Sequence, residues 1–430
     1  MFYLWASIDT FFIFLLMILY VYSMGKLIEK TRTATIKYLT ITILIVGINL
    51  IHVKYLKQIG TVLKLDQTLL GQQFLKLVFV PVGVSFVTFE AISYFVDIYR
   101  GDAESGSLLD TAVFLSFFPK LISGPIVLWK DFNPQLKDRK ISLDMVERGV
   151  TKVILGFGKK AIIADSLGVL LGSLNGAIAA GTGPGILWMK ALVYTFQLYF
   201  DFSGYSDIAI GLSATLGFTF KENFDHPYVS ASITEFWRRW QISLGSWFRE
   251  YVYFPLGGSR KGNVYLNLMV VFLLTGIWHG DSWAFFLWGL LHGLAVVIER
   301  RLMKTSWYEK IPKIIRWLGT MIYVYFLWIL FSSDTVKTFW ETVTLMFSRN
   351  TGVKNYSLVY FLTPKNITLL MAAALFSVAG TWKWVIRLHE KTEQSTVLGA
   401  MRRALVLVLF AVSLIFVVNS TYSPFLYFQF

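Results

Sequence analysis

Apolar runs about twenty residues long, the length a helix needs to cross the hydrocarbon core of a bilayer, recur along almost the whole chain. The candidates are residues 2–24, 36–56, 72–98, 108–129, 150–174, 185–217, 264–279, 282–299, 314–332, 357–379 and 401–420. In lipid, backbone polar groups must be satisfied within the protein, so spanning runs are helical. The pattern predicts an all-α, polytopic integral membrane protein with about eleven membrane segments, some of them re-entrant or broken. Residues 1–430 read as one membrane-embedded domain with no internal repeat and no interval long enough for a soluble domain. Only 15% of the residues are charged, against about 25% in a soluble domain.

The charge that is present is informative. Lys and Arg number 40 and Asp and Glu 26, a net charge of +14. In a membrane protein this reads as basic cytosolic loops and attraction to anionic lipid, not as a nucleic-acid surface, and no nucleic-acid partner is expected. The loop carrying Lys26, Lys30, Arg32 and Lys37 is predicted to be cytosolic. Further basic clusters at Lys137–Lys140, Arg260–Lys261, Arg300–Lys304 and Lys383–Lys391 do not all fall on one side by simple alternation, so either some segments are half-inserted or the number of spans differs from eleven. The run Thr10–Met24 has no basic stretch before it and no small-residue cleavage site, so it reads as a helix and not a signal peptide. There is no cysteine, hence no thiolate nucleophile, and four metal ligands at suitable spacing are missing. The expectation is no metal and no tightly bound cofactor.

Polar residues within the apolar runs are candidates for function, because charge at membrane depth is costly. Pro81, Gly83, Glu90 and Asp97 interrupt one segment, and Pro119, Lys120, Gly124 and Pro125 the next, which predicts that both line an internal cavity. Tyr194, Gln197, Asp201 and Tyr205 are spaced to share one helix face, with Asp207 following the break-prone pair Ser203–Gly204. Helix-to-helix hydrogen bonding would explain each residue alone, whereas several on one face favour a polar path.

The block 233–258 alternates aromatic residues (Phe236, Trp237, Trp240, Trp247, Phe248) with Arg238, Arg239, Arg249 and Glu250. It is too charged to span and fits either an interfacial amphipathic helix or a re-entrant wall. Its arginines are candidates for binding the phosphates of a cytosolic ligand. The next apolar run ends in Trp278–His279–Gly280. Imidazole is the side chain best suited to proton transfer near neutral pH, so His279 is the leading catalytic candidate. His292 reads as structural. Gly280–Asp281–Ser282 imitates the nucleophile motif of SGNH hydrolases, but the strand-to-helix turn and the downstream Asp-x-x-His are missing.

These stretches resemble the membrane-bound O-acyltransferase family, in particular its bacterial alginate O-acetyltransferase-like branch. The matching segments are VPVGVSFVTFEAISYFVDIYRG (80–101), FPKLISGPIVLWKDF (118–132), FQLYFDFSGYSDIAIGLSATLGF (196–218), NFDHPYVSASITEFWRRWQISLGSWFREYVYFPLGGSRKG (223–262), LLTGIWHGDSWAFFLWGLLHG (273–293) and YSPFLYFQF (422–430), with most of the signature inside about 80–300. The resemblance implies a helical bundle around a central funnel and an acyltransferase activity. An acyl group, most plausibly acetyl, would pass from acetyl-CoA in the cytosol to an extracytoplasmic hydroxyl in cell-surface polysaccharide O-acetylation. It further implies a bacterial cell membrane location and a separate SGNH-type acetyltransferase as partner. His279 matches the family's second signature histidine. The earlier one, in the family's Trp-Arg-Arg-Trp-His motif, is Gln241 here. An amide cannot exchange a proton as imidazole does, but it can orient a carbonyl or hydroxyl. Family members commonly carry one more hydrophobic segment before the start of this chain, so one helix fewer is expected. The expected funnel residues are Trp278, Lys120, Asp201, Tyr205, Asp207, Trp237 and Trp240, and the expected donor-phosphate contacts are Arg238, Arg239 and Arg249. Two other readings stay open. One is D-alanyl transfer from a carrier-protein thioester to teichoic acid. The other is a transporter or flippase, although the paired interrupted helices of many transporters are not evident.

Overall fold

Glycine positions decide how the helices of this protein approach one another. The structure, a computed structural model, describes residues 8–31, 68, 83–181, 183–348 and 356–419, and every regular element among them is a helix. In chain order these are α1 (Ile8–Lys30), α2 (Val84–Arg100), α3 (Leu108–Ser116), α4 (Trp129–Lys137), α5 (Leu143–Gly158), α6 (Asp165–Ala179), α7 (Pro184–Thr215), α8 (Ile233–Arg239), α9 (Ile242–Phe248), α10 (Val264–His279), α11 (Trp283–Leu302), α12 (Ser306–Lys310), α13 (Lys313–Phe331), α14 (Val336–Met346), α15 (Leu358–Phe361), α16 (Pro364–Val378), α17 (Lys383–Gln394) and α18 (Thr396–Asn419). A π-helical turn, Lys159–Ala164, joins α5 to α6, and a second, Arg249–Tyr253, follows α9.

The longest crossing is α5 against α7. Gly149 and Gly156 on α5 face Gly211 and Gly204 on α7. A Cβ at Gly156 would stand 2.5 Å from the Gly204 carbonyl, and one at Gly149 2.7 Å from that of Gly211. Small residues at matched seven-residue spacing let the backbones touch, as is common where helices pack in membranes. The helical hairpin α10–α11 is built the same way. A Cβ on Gly276 would lie 2.5 Å from the Phe285 carbonyl and 3.1 Å from the Gly289 Cα.

Three apolar cores result. The largest joins α6, α7, α8, α11, α13 and α14. A second joins α1 to α4 with Phe218 and Phe220. A third, mostly aromatic, gathers Phe86 and Phe89 of α2, Trp247 and Phe248 of α9, and Trp278 of α10.

Five helices are long and apolar enough to cross a membrane: Phe11–Lys30, Leu143–Ala179, Trp283–Leu302, Lys313–Phe331 and Thr396–Asn419. A sixth span arises if Pro364–Thr381 and Lys383–Thr392, bent by 68°, count as one. The run 36–56 and residues 72–82, with Pro81 and His52, lie outside the described residues, as do residues 2–7 and the terminal 422–430.

Within the described residues the structure corrects three expectations. Residues 108–129 do not form one span: α3 stops at Ser116, a 3₁₀ turn covers Phe118–Lys120, and the chain runs non-helically to α4. Pro119 and Pro125 withhold helix donors, and Gly124 takes φ +105°. No break follows Ser203–Gly204, because α7 continues unbroken for 32 residues and Gly204 serves the α5 crossing. Block 233–258 is not one interfacial helix but two short helices and a π turn, with Phe236, Trp240, Trp247 and Phe248 buried inside the protein. Of the two readings, the buried aromatic residues fit the wall.

Candidate active site

His279 is the last residue of α10, where the hairpin turns, and is 5% exposed. Its imidazole is enclosed by aromatic rings, with centroid distances of 4.8 Å to Trp278, 5.1 Å to Trp288, 5.1 Å to Phe331 and 6.4 Å to Phe285. Two different cores supply this enclosure. The Trp278 indole turns toward α2, tilted over Phe89 at 5.2 Å, while Trp288 and Phe331 belong to the large core. His279 therefore sits at the seam between them. Gly280 is extended (φ 178°), a conformation open to any residue. It is needed for space instead, since a Cβ there would overlap the Phe285 ring.

The second motif forms the neighbouring wall. α8 ends at Trp240–Gln241, and Gln241 precedes α9 in the left-handed region at φ 43°, ψ 56°. Such a conformation is uncommon for a non-glycine residue and persists only where its surroundings over-determine it. Here residues 223–225 clasp both sides. Asp225 N donates to the Arg239 carbonyl at 2.9 Å and Ile242 N to the Asn223 carbonyl at 2.9 Å. The Asn223 side-chain oxygen accepts from Ser243 N and Oγ, while its amide donates to Ser206 on α7. Gln241 is 2% exposed, and its Nε2 has no hydrogen-bond partner among the described residues. A ladder of indoles leads from this turn to the histidine: Trp240 to Trp328 at 4.8 Å, Trp328 to Trp288 at 6.2 Å, then His279. The buried Trp288 Nε1 is likewise without a partner among the described residues. A buried donor with no acceptor is expensive, and a site that binds a carbonyl or stabilises an oxyanion needs such donors in place.

The other sequence candidates divide sharply. Trp237 joins the wall: its ring lies 5.5 Å from Trp288, and its Nε1 donates to His292 Nδ1 at 3.2 Å, so His292 holds an indole in place. Tyr205 packs on α7 beside Gly124. Lys120 lies in the second core, where Nζ is 2.6 Å from Glu90 and donates to the Phe114 carbonyl at 2.5 Å, over the Phe114 ring. Asp201 meets Lys160 of the π turn at 2.7 Å, and Asp207 meets Lys159 at 2.6 Å. Each of these charges is thus engaged in a local ion pair. Arg239 is committed to Asp225 and Glu235, whereas Arg238 and Arg249 are exposed. Two cavities, of about 480 and 540 Å³, lie apart from this site and are lined by neither His279 nor Gln241. No group of three His, Asp or Glu among the described residues is placed to hold a metal ion.

Sequence reasoning missed the enclosing rings of Phe285, Trp288 and Phe331, and Trp328 of the ladder. It also missed Lys159 and Lys160, whose adjacency inside an apolar run was the available signal.

The protein comparisons decide the family. Residues 32–336 match the model of the MBOAT, membrane-bound O-acyltransferase, family. The chain belongs to that family. It is 37% identical to a probable alginate O-acetylase of Pseudomonas putida, over 100% of this chain and 92% of the relative. It is 31% identical to a peptidoglycan O-acetyltransferase of Helicobacter pylori, over 81% and 74% respectively. A teichoic acid D-alanyltransferase of Streptococcus thermophilus is 34% identical over 50% of this chain and 56% of that protein. The protein is a multi-pass membrane acyltransferase.

Proposed function

We propose that this membrane-bound O-acyltransferase carries an acetyl group from acetyl-CoA, made in the cytosol, across the inner membrane of a bacterial cell to an extracytoplasmic hydroxyl for O-acetylation of a surface polysaccharide. The observation that carries the reading is His279 at the end of an apolar helix, walled by four aromatic rings, beside the buried Trp288 N–H, which has no partner among the described residues. His279 acts as general base on the acceptor hydroxyl. The hydroxyl oxygen forms a bond to the thioester carbonyl carbon as the proton passes to the imidazole. The carbon–sulfur bond then breaks, and the thiolate leaves with that proton as the free thiol. Trp288 Nε1 and Gln241 Nε2 are the available donors for the developing oxyanion. The aromatic enclosure excludes water, which would otherwise hydrolyse the thioester. The relatives' names support an acetyl donor and a polymer acceptor. The acceptor hydroxyl belongs to the polymer or to a separate SGNH-type acetyltransferase outside the membrane.

Membranes containing the wild-type or His279→Ala protein, at matched protein level, are incubated with labelled acetyl-CoA and, separately, with labelled D-alanyl carrier protein. Acetyl label appearing covalently on an extracytoplasmic acceptor, and lost in the variant, supports the reading. Transfer of D-alanine instead points to the teichoic-acid activity, and translocation of label without a covalent product points to a transporter.

A further inference from the structure

A cleft of about 540 Å³ lies between α11, α12 and α13, away from His279. Its walls are aliphatic, including Leu291, Leu294 and Ile298 of α11 and Ile315 of α13. One cation, Arg316, lines it, and the chain that forms this wall is strongly basic: residues 300–316 hold Arg300, Arg301, Lys304, Lys310, Lys313 and Arg316 against the single acid Glu309. None of these six cations forms an ion pair among the described residues. Arg316 lines the cleft with its guanidinium 5.1 Å over the Tyr308 ring, and its buried Nε has no hydrogen-bond partner among the described residues. The one acid in the lining, Glu299, is already engaged. Its two oxygens accept from Ile233 N at 2.8 Å and Thr234 N at 2.7 Å, at the start of α8, so its charge is answered by a helix N-terminus. Trp307, 62% exposed on the same short segment, is the kind of residue that settles at the headgroup level of a bilayer.

We infer that this cleft is a specific site for an anionic phospholipid, with an acyl chain against Leu291, Leu294 and Ile298 and the phosphate at Arg316, beside the basic stretch 300–313. Charge complementarity sets the class: a zwitterionic lipid would fill the apolar part equally well but would bring its own headgroup cation toward Arg316 and the basic stretch 300–313. Basic pockets between membrane helices commonly take anionic headgroups in this way. The site has a structural consequence. Glu299, at the base of the cleft, fastens the N-terminus of α8, and α8 leads to Trp237 and Gln241. A lipid seated there braces the wall of the active site.

The full-length protein in a zwitterionic detergent is titrated with phosphatidylglycerol, phosphatidylcholine or inorganic phosphate while its thermal midpoint is followed, and lipid retained after purification is weighed by native mass spectrometry. Phosphatidylglycerol is expected to raise the midpoint and to be retained, and the other two are not. Arg316→Gln should weaken its half-saturation by about fivefold, the equivalent of about 1 kcal/mol for one basic residue at an anionic headgroup. Gly319→Leu provides a variant that does not depend on the charge: Gly319 lines the cleft, and a Cβ there would meet nothing within 4 Å. The leucine should fill the cleft and remove the effect while the lipid-free midpoint holds. Wild-type titrations in Gly319→Leu, an equal response to phosphatidylcholine, or a full response to inorganic phosphate alone would overturn the proposal.

Discussion

The indole of Trp288 stands nearly perpendicular to the imidazole of His279, at 85° with centroids 5.1 Å apart, and its own Nε1 has no partner among the described residues. A ring edge therefore packs the imidazole in place while a buried donor stays available beside it. The two residues lie on the two arms of one hairpin, α10 and α11, which cross where Gly276 faces Gly289.

Replacing His279 by Ala should lower acyl transfer by about 10²–10⁴-fold, the usual worth of a positioned general base, with protein level unchanged. His279→Gln, which keeps a polar group but cannot take the proton, should be as inactive. A variant at this position retaining full transfer in a labelled-donor assay would remove the residue from the mechanism.

Gln241 tests the donor role. Gln241→Leu keeps the volume and deletes the amide, so kcat should fall while KM for the acyl donor stays put, by up to about 10²–10³-fold if the amide meets the oxyanion. Gln241→His restores an imidazole and suits the backbone, because histidine enters the left-handed region more readily than most residues. It should fold at least as well as the wild type, read by thermal midpoint in detergent. A fall in KM-independent rate confined to the leucine variant separates chemistry from strain.

The hairpin geometry makes a second claim on His279. Gly280→Ala would push a methyl into the Phe285 ring, displacing the aromatic enclosure without touching the imidazole chemically. Transfer should drop sharply, and Phe285→Leu in the same chain should recover part of it by opening room. Absence of any rescue would show that the glycine acts through something other than that ring.

Lys120 is predicted to matter for stability and not for chemistry. It is wholly buried against Glu90 at 2.6 Å, and removing one partner of a buried pair typically costs about 3–5 kcal/mol, because the other charge is left unanswered. Lys120→Met should therefore lower the midpoint strongly. The double variant Lys120→Met with Glu90→Gln should recover most of the loss and retain transfer.

Much of this architecture was legible in the sequence, for identifiable reasons. Apolar length announces α1, α11, α13 and α18 because hydrocarbon thickness sets a minimum. His279 stood out because ionisable groups are rare in such runs. What could not be read was pairing across the chain. Lys120 and Asp201 look like pore-lining residues until Glu90 and Lys160 are found opposite them, and those partners lie 30 and 41 positions away in sequence. Likewise the Trp240–Gln241 turn depends on Asn223, whose backbone and amide clasp it from outside the aromatic motif. Periodicity treats 233–258 as one helix because it registers spacing and is blind to a left-handed residue at its centre.

The three arginines of that block should behave differently from one another. Arg239 is held by Asp225 at 2.8 Å and Glu235 at 3.1 Å, and its backbone carbonyl receives the Asp225 amide. Arg239→Ala should loosen the turn at Gln241 and lower both stability and kcat. Arg238 and Arg249 are exposed, and among the described residues the Arg249 side chain makes one long hydrogen bond, 3.4 Å to Ser246. If they receive the phosphates of the acyl donor, Arg238→Ala and Arg249→Ala should each raise KM for acetyl-CoA with kcat and midpoint unchanged, the pattern of lost ground-state binding. The effect should shrink as ionic strength rises, because exposed charges are screened within about 8 Å at physiological salt. Initial rates across donor concentration at two salt levels provide the check, and a KM indifferent to both substitutions would place the donor phosphates elsewhere.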